Sequence, residues 1–308
     1  MDASASTRRD FLKLLGTAAV IGATTPDLLA GTGHQSPVRL TILHTNDVHS
    51  RLDPFPMDGG RNAGKGGVAR RATLIEQIRR QEKNVLLFDA GDIFQGTPYF
   101  NLYKGEPEIL AMNRLGYDAG TLGNHDFDGG IDNMVTQFGK ATFPMLVANY
   151  DFKHTVMDGR TKPYKIFVKD GIRVGVFGLG IKPEGLIPKD AYRETVYLDP
   201  VDVAMTTTQL LRQQERCDYV VCLSHLGYKY EGPTISDTVL AGKTRNIDLI
   251  IGGHTHTFLD APVAITNLDG LPVWVNQVGF AGINLGRLDL TFERGKAALT
   301  GQSLEIKA

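Results

Sequence analysis

Residues 121–130 read TLGNHDFDGG, which sets Asn124, His125, Asp126 and Asp128 within five positions directly after an apolar stretch. An amide, an imidazole and two carboxylates crowded where a strand should end form a set able to ligate a cation and to move a proton. Four further segments have the same form. TILH runs into Thr45-Asn46-Asp47-Val48-His49, VLLFDAG into Asp92, VVCLS into His225, and LIIGG into His254-Thr255-His256. Singly, each has an ordinary explanation, such as an Asx-turn at Asp47 or a hydrogen-bonded core imidazole at His225. Five apolar runs ending alike point instead to one convergent site, because the carboxyl ends of strands in an open α/β sheet line a common crevice.

The residue types choose among chemistries. Carboxylate, imidazole and amide oxygen without thiolate suit Mn, Fe or Zn, whereas a structural zinc site more often uses Cys. Asp47, His49, Asp92, Asn124, His225, His254 and His256 supply seven ligands. That exceeds one tetrahedral or octahedral ion and fits two ions sharing a bridging carboxylate. Two such ions clamp the attacking and departing oxygens of an in-line displacement at phosphorus. A serine hydrolase is excluded, because no G-x-S-x-G elbow occurs and Ser224 beside His225 lacks the flanking turn. GVFGLGIKPEG is Gly-rich but lies in hairpin-like sequence, so it is not a dinucleotide loop.

The elements that must position these residues follow from hydrophobic periodicity. VRLTILH, NVLLFDAGD, YDAGTLG, DYVVCLSH and NIDLIIGG are uninterrupted apolar runs, as strands covered on both faces should be. Helical patterns lie between them over Gly67–Glu82, Glu106–Leu115 and Asp199–Arg216. Gly91, Gly123 and Gly252-Gly253 precede the polar residues and suggest tight turns. Asp170-Gly171, Asp269-Gly270 and Arg294-Gly295 mark hairpins, so the alternation predicts a layered α/β domain with mixed sheets. No repeat or linker divides residues 37–308, which read as a single domain.

The chain of 308 residues is 42% hydrophobic and 22% charged with a formal net charge of -1, which provides a sizeable core and disfavours a polyanion-coating role. Its two cysteines, Cys217 and Cys222, bracket an extended stretch that separates their Cα atoms by about 16 Å, beyond disulfide reach. Residues 1–30 differ from the rest: Arg8-Arg9 precede a short, Gly- and Thr-diluted apolar stretch over Leu14–Ala23, the pattern of a twin-arginine export signal cleaved near Ala30. The expected destination is periplasmic or extracellular, in a bacterium. No segment has the roughly 18–20 apolar residues of a membrane-spanning helix.

The ordered set Asp-x-His, Gly-Asp, Gly-Asn-His, His and Gly-His-x-His resembles the calcineurin-like metallophosphoesterases. ILHTNDVHS, DAGDIFQGTP, GNHDFD and GGHTH resemble the 5′-nucleotidase branch of that superfamily, over essentially all of residues 38–308. The resemblance implies a four-layer α/β/β/α sandwich with two mixed sheets and a centre of two divalent ions, Mn, Zn, Fe or Co. It implies that Asp47, His49, Asp92 and His256 hold one ion and Asp92, Asn124, His225 and His254 the other, with Asp92 bridging. His125 would face the scissile phosphate and Asp128 would orient its imidazole, with Asp126 the rival for that role. The implied activity is release of phosphate from nucleotides. The alternatives are a phosphodiesterase or pyrophosphatase acting on cyclic nucleotides or nucleotide sugars, and a metal-bearing subunit that turns over little. Long members of the branch carry a second, C-terminal domain that binds the nucleoside. The expectation here is therefore a separately encoded nucleotide-binding partner or loose acceptance of phosphoesters, with no nucleic-acid partner and no integral membrane segment after signal removal. Arg51 and Phe94, in the first two site loops, are candidate substrate contacts.

Overall fold

The computed structural model describes residues 37–307, and the expected export segment lies outside them. The strands in chain order are β1 (Val38–Thr45), β2 (Val85–Asp89), β3 (Ala119–Gly120), β4 (Tyr150–Asp151), β5 (Tyr164–Lys169), β6 (Ile172–Leu179) and β7 (Val196–Tyr197). They continue with β8 (Tyr219–Ser224), β9 (Leu249–Gly252), β10 (Val263–Thr266), β11 (Pro272–Asn276), β12 (Asn284–Glu293) and β13 (Lys296–Glu305). The helices are α1 (Val68–Gln81), α2 (Pro98–Tyr103), α3 (Glu106–Leu115), α4 (Ile131–Phe138), α5 (Lys189–Tyr192), α6 (Pro200–Gln213) and α7 (Asp237–Lys243). One sheet has the order β13-β12-β1-β2-β3 and a second β10-β11-β9-β8-β6-β5, while β4 and β7 form a small ribbon. Both large sheets are mixed: β1, β2 and β3 run parallel, as do β6, β8, β9 and β11, while the strands flanking each parallel set pair antiparallel.

Three apolar layers show how the sheets and helices stack. Leu43 and Leu87 of the first sheet meet Ile75 and Ile78 of α1, Ile109 of α3 and Met134 of α4. The opposite face, with Leu40, Ile42 and Phe88, packs on Val174, Val221 and Leu249 of the second sheet. The far face of that sheet, with Phe177, Val220 and Ile250, packs on Leu211 of α6 and Leu240 of α7. The order is helix, sheet, sheet, helix, the four-layer arrangement expected. Residues such as Ile42, Leu86 and Phe88 are wholly buried, each worth about 1.5–3 kcal/mol on leaving water. This explains why their strands read as unbroken apolar runs.

Local signals set the connections. α6 starts where Asp199 Oδ1 accepts from the amides of Val201 and Asp202, with Pro200 at the first helical position. Asp170 and Gly171, at φ 47° and 86°, close the β5–β6 hairpin, and Arg294 and Gly295, at 49° and 74°, close β12–β13. The three expected helices form as α1, α3 and α6, with termini within three residues of the expected ones. The helices α2, α4, α5 and α7 were not anticipated. Cys217 and Cys222 are both buried free thiols, as their spacing required. No helix among the described residues is long and apolar enough to cross a membrane.

Candidate metal centre

The loops after β1, β2, β3, β8 and β9 meet. The first two are laced by backbone bonds: Asp47 N donates to Gly91 O at 2.9 Å, His49 N to Asp92 O at 3.0 Å and Ser50 N to Ile93 O at 2.9 Å. The fifth joins them where His254 N donates to both Asp47 oxygens at 3.0 Å. Asp47, His49, Asp92, His254 and His256 all have positive φ, between 50° and 72°. Non-glycine residues held this way cost roughly 1–3 kcal/mol each, a cost that clusters at functional sites.

Two ligand groups result. Asp47, His49 and His256 bring donor atoms within 4.8 Å of one another, and so do Asp92, His225 and His254. In the first, the Nε2 atoms of His49 and His256 lie 3.0 Å apart, and His256 Nε2 is 3.4 Å from Asp47 Oδ1. In the second, His225 Nε2 is 3.1 Å from Asp92 Oδ2. Asn124 joins this group, its Oδ1 lying 2.8 Å from His254 Nδ1. The groups share a wall, because Asp92 Oδ2 is also 3.8 Å from His49 Nε2 and Asp47 Oδ1 is 3.9 Å from His225 Nε2. Asp92 therefore stands between the two sets, where a bridging carboxylate would stand. All seven expected ligands are together.

The electrostatics fit cations. Asp47 and Asp92 are 0% and 1% exposed, and carboxylates taken from water need compensating positive charge. Burial works to raise the pKa of Asp92, but His225 and His49 outweigh it and keep the carboxylate ionised. Burial likewise opposes a charged His225, yet Asp92 and Asp47 push its pKa up to about 10. Despite the close approach, no directed hydrogen bond reaches the buried His225 Nε2, while Ala90 O lies 2.7 Å from Nδ1. A ring fixed by one nitrogen with the other directed at acids is the usual disposition of a metal-ligating histidine. Burial and His225 lower His254 to about 4, leaving it a neutral donor.

Glycines let these groups approach. Only Gly91 of the four expected turn glycines has positive φ, 91°. At Gly123 a Cβ would meet Asp92 Oδ1 at 2.1 Å and His225 Cε1 at 2.6 Å, so glycine is needed there for space.

His125 and Asp128 sit at the mouth, their side chains 38% and 31% exposed, with His125 Nδ1 2.8 Å from Asp128 Oδ2. That bond, ahead of the opposing effect of burial, raises the His125 pKa. Asp126 has another role. It is wholly buried and accepts from the amides of Asp92 at 3.1 Å, Ile93 at 2.9 Å, Phe94 at 3.2 Å and Gly123 at 2.8 Å, so one carboxylate ties the second site loop to the third. Phe94 is not a substrate contact: it is 0% exposed and stacks on Phe100 and Phe138 in the core. Arg51 lies over the Phe55 ring, 4.4 Å from its centroid. Sequence reading passed over Phe280, on which His256 stacks at 5.0 Å. No pattern in the sequence marks it; its neighbour Ala281 donates its amide to Asp47 O at 2.7 Å, a bond visible only in the fold.

Residues 40–258 match a family model described as calcineurin-like phosphoesterase. The chain belongs to that family. Among relatives in this family, a snake venom 5′-nucleotidase of Naja atra is 38% identical over 83% of this chain and 51% of its own length. The 5′-nucleotidase of Homo sapiens is 37% identical over 83% of this chain and 47% of its own. Of solved structures, a 5′-nucleotidase precursor from Thermus thermophilus superposes with a TM-score of 0.77 at 33% identity, covering 88% of this chain and 55% of that one. A Haemophilus influenzae NAD nucleotidase gives a TM-score of 0.78 at 27% identity, covering 88% of this chain and 51% of that one. The chain spans about half the length of the curated relatives it matches.

Proposed function

We propose that this calcineurin-like phosphoesterase is a dinuclear metal-dependent hydrolase that releases phosphate from nucleoside 5′-monophosphates. The observation that carries the reading is the pair of adjacent ligand groups with Asp92 between them, and the His125–Asp128 pair beside them. Asp47, His49, Asp92 and His256 would hold one cation and Asp92, Asn124, His225 and His254 the other. Bound divalent ions supply Lewis acidity, neutralising the phosphoryl oxygens and making hydroxide available near neutral pH.

The chain's own residues do the rest. Asp128 orients the His125 ring through Nδ1, which leaves Nε2 free to hold a proton for the departing ester oxygen. The same bond raises the His125 pKa, which favours the protonated ring. Asp126 prevents the loop bearing Asp92 from drifting, and positioning of this kind preserves the in-line geometry on which the rate depends.

A second reading, cleavage of a dinucleotide pyrophosphate, is favoured by the likeness to the NAD nucleotidase. A substrate panel on the metal-loaded chain separates them. Phosphate release from AMP, with slower or no action on NAD and a cyclic nucleotide, is expected. Preference for NAD would replace the first reading with the second, and inactivity on every ester would overturn both.

A further inference from the structure

The loop after β9 is gripped by one buried amide that comes from another strand. Gln277 directly follows β11, which pairs parallel with β9 in the register Asn276–Ile251, so the sheet delivers it beside the start of Gly253-His254-Thr255-His256-Thr257. The residue is wholly buried. Its Nε2 donates to Gly253 O, and its Oε1 accepts from Thr255 Oγ1 at 3.0 Å and from Thr257 N. The three residues it holds alternate with the two histidines of the loop.

Those histidines face different partners. His254 stands with Asp92 and His225, and His256 with Asp47 and His49. Neither has a relaxed backbone, with φ at 72° and 52°. Thr255 N also donates back to Gly253 O at 2.9 Å, closing a three-residue turn centred on His254, a rare and strained shape when φ is positive. Such strain persists only where the surrounding bonds over-determine the backbone. Gln277 supplies three of those bonds from outside the loop. Tyr228 N supplies another, donating to Thr255 Oγ1 at 2.9 Å and tying the same point to the loop that carries His225.

We propose that Gln277 is a positioning residue that couples the two cation sites, fixing His254 for one ion and His256 for the other through a single amide. This rests on the dinuclear reading of the centre. Both ligands stand on one clamped loop, at positions between the clamped residues. Freeing the loop therefore loosens both sites together.

The test uses Gln277→Met, which is close in size but has no amide, beside wild type and Gln277→Glu. Isothermal titration with Mn is expected to show both ions weakened by roughly 10–100-fold in Gln277→Met, the scale for a supporting partner of metal ligands. Gln277→Glu keeps the acceptor for Thr255 and Thr257 and loses only the donor to Gly253, so it should fall between. Weakening of one ion alone, or of neither, overturns the coupling. Amide hydrogen exchange in chelator gives a readout that needs no metal. The Thr257 amide should exchange faster in Gln277→Met and regain protection in Gln277→Glu, with the amides of β9 unchanged. Unaltered exchange at Thr257, or acceleration spread over the whole chain, contradicts a positioning role. If wild type binds fewer than two Mn ions, the dinuclear reading fails separately, and exchange at Thr257 decides the clamp alone.

Discussion

Single side chains divide the labour at this centre by what they touch. His125 follows a ligand in sequence and its backbone amide donates to Asp92 Oδ1 at 2.8 Å, but its imidazole pairs with Asp128. Replacing it should therefore spare the metals. For His125→Ala we expect kcat to fall by about 10²–10⁴ with metal content per chain unaltered, read from steady-state kinetics beside elemental analysis. Parallel loss of metal and activity would make His125 a ligand. The choice of Asp128 over Asp126 was legible because adjacent side chains diverge: on the short 3₁₀ turn His125–Phe127, His125 faces solvent and Asp126 faces inward. What Asp126 does instead was not legible, since its four amide partners include three that lie 32 to 34 residues away. Phe94 was misread for the same reason, because a place two residues after Asp92 does not say on which side of the loop a ring falls.

At the scale of elements, the five strand ends were readable because a parallel strand buried on both faces must be apolar until it leaves the sheet. The polar residues mark that exit. Among the missed helices, α4 begins at Gly130 with no side-chain cap. α7 did carry a signal, Ser236 accepting from Val239 N, but over only seven residues. Loop-to-loop bonding was invisible in the sequence, and it yields a prediction. Asp126→Ala removes the acceptor for four amides of the second and third site loops, so Asp92 should lose its fixed position. Metal affinity is expected to weaken by about 10–100-fold, as for other supporting partners of metal ligands, with Asp126→Asn milder. Isothermal titration with Mn checks this, and an unchanged affinity would show that the loops hold without the clamp.

At the scale of the whole molecule, the two sheets meet through an apolar layer that includes a buried polar link. His44 of β1 accepts at Nε2 from Asn276 Nδ2 of β11 at 2.9 Å, and its Nδ1 has no partner. Burial lowers the His44 pKa to about 3, against 6.5 when unfolded. The folded state holds the neutral ring, so between these values the unfolded chain binds a proton that the folded chain refuses, and stability falls as pH drops. Unfolding titrations in chelator should show His44 alone costing about 2 kcal/mol between pH 7.5 and pH 5. His44→Gln should remove that part of the slope, and an identical slope in both proteins would contradict a neutral buried imidazole.

The layered architecture was legible because alternating strand and helix patterns permit few packings. The meeting of both sheets' loops in one centre is what the functional account depends on, and anomalous diffraction from crystals grown with Mn tests it most directly. Two peaks about 3.5–4 Å apart are predicted, one beside Asp47, His49 and His256 and the other beside His225, His254 and Asn124, with Asp92 reaching both. A single peak, or a second one out of reach of Asp92, would contradict it.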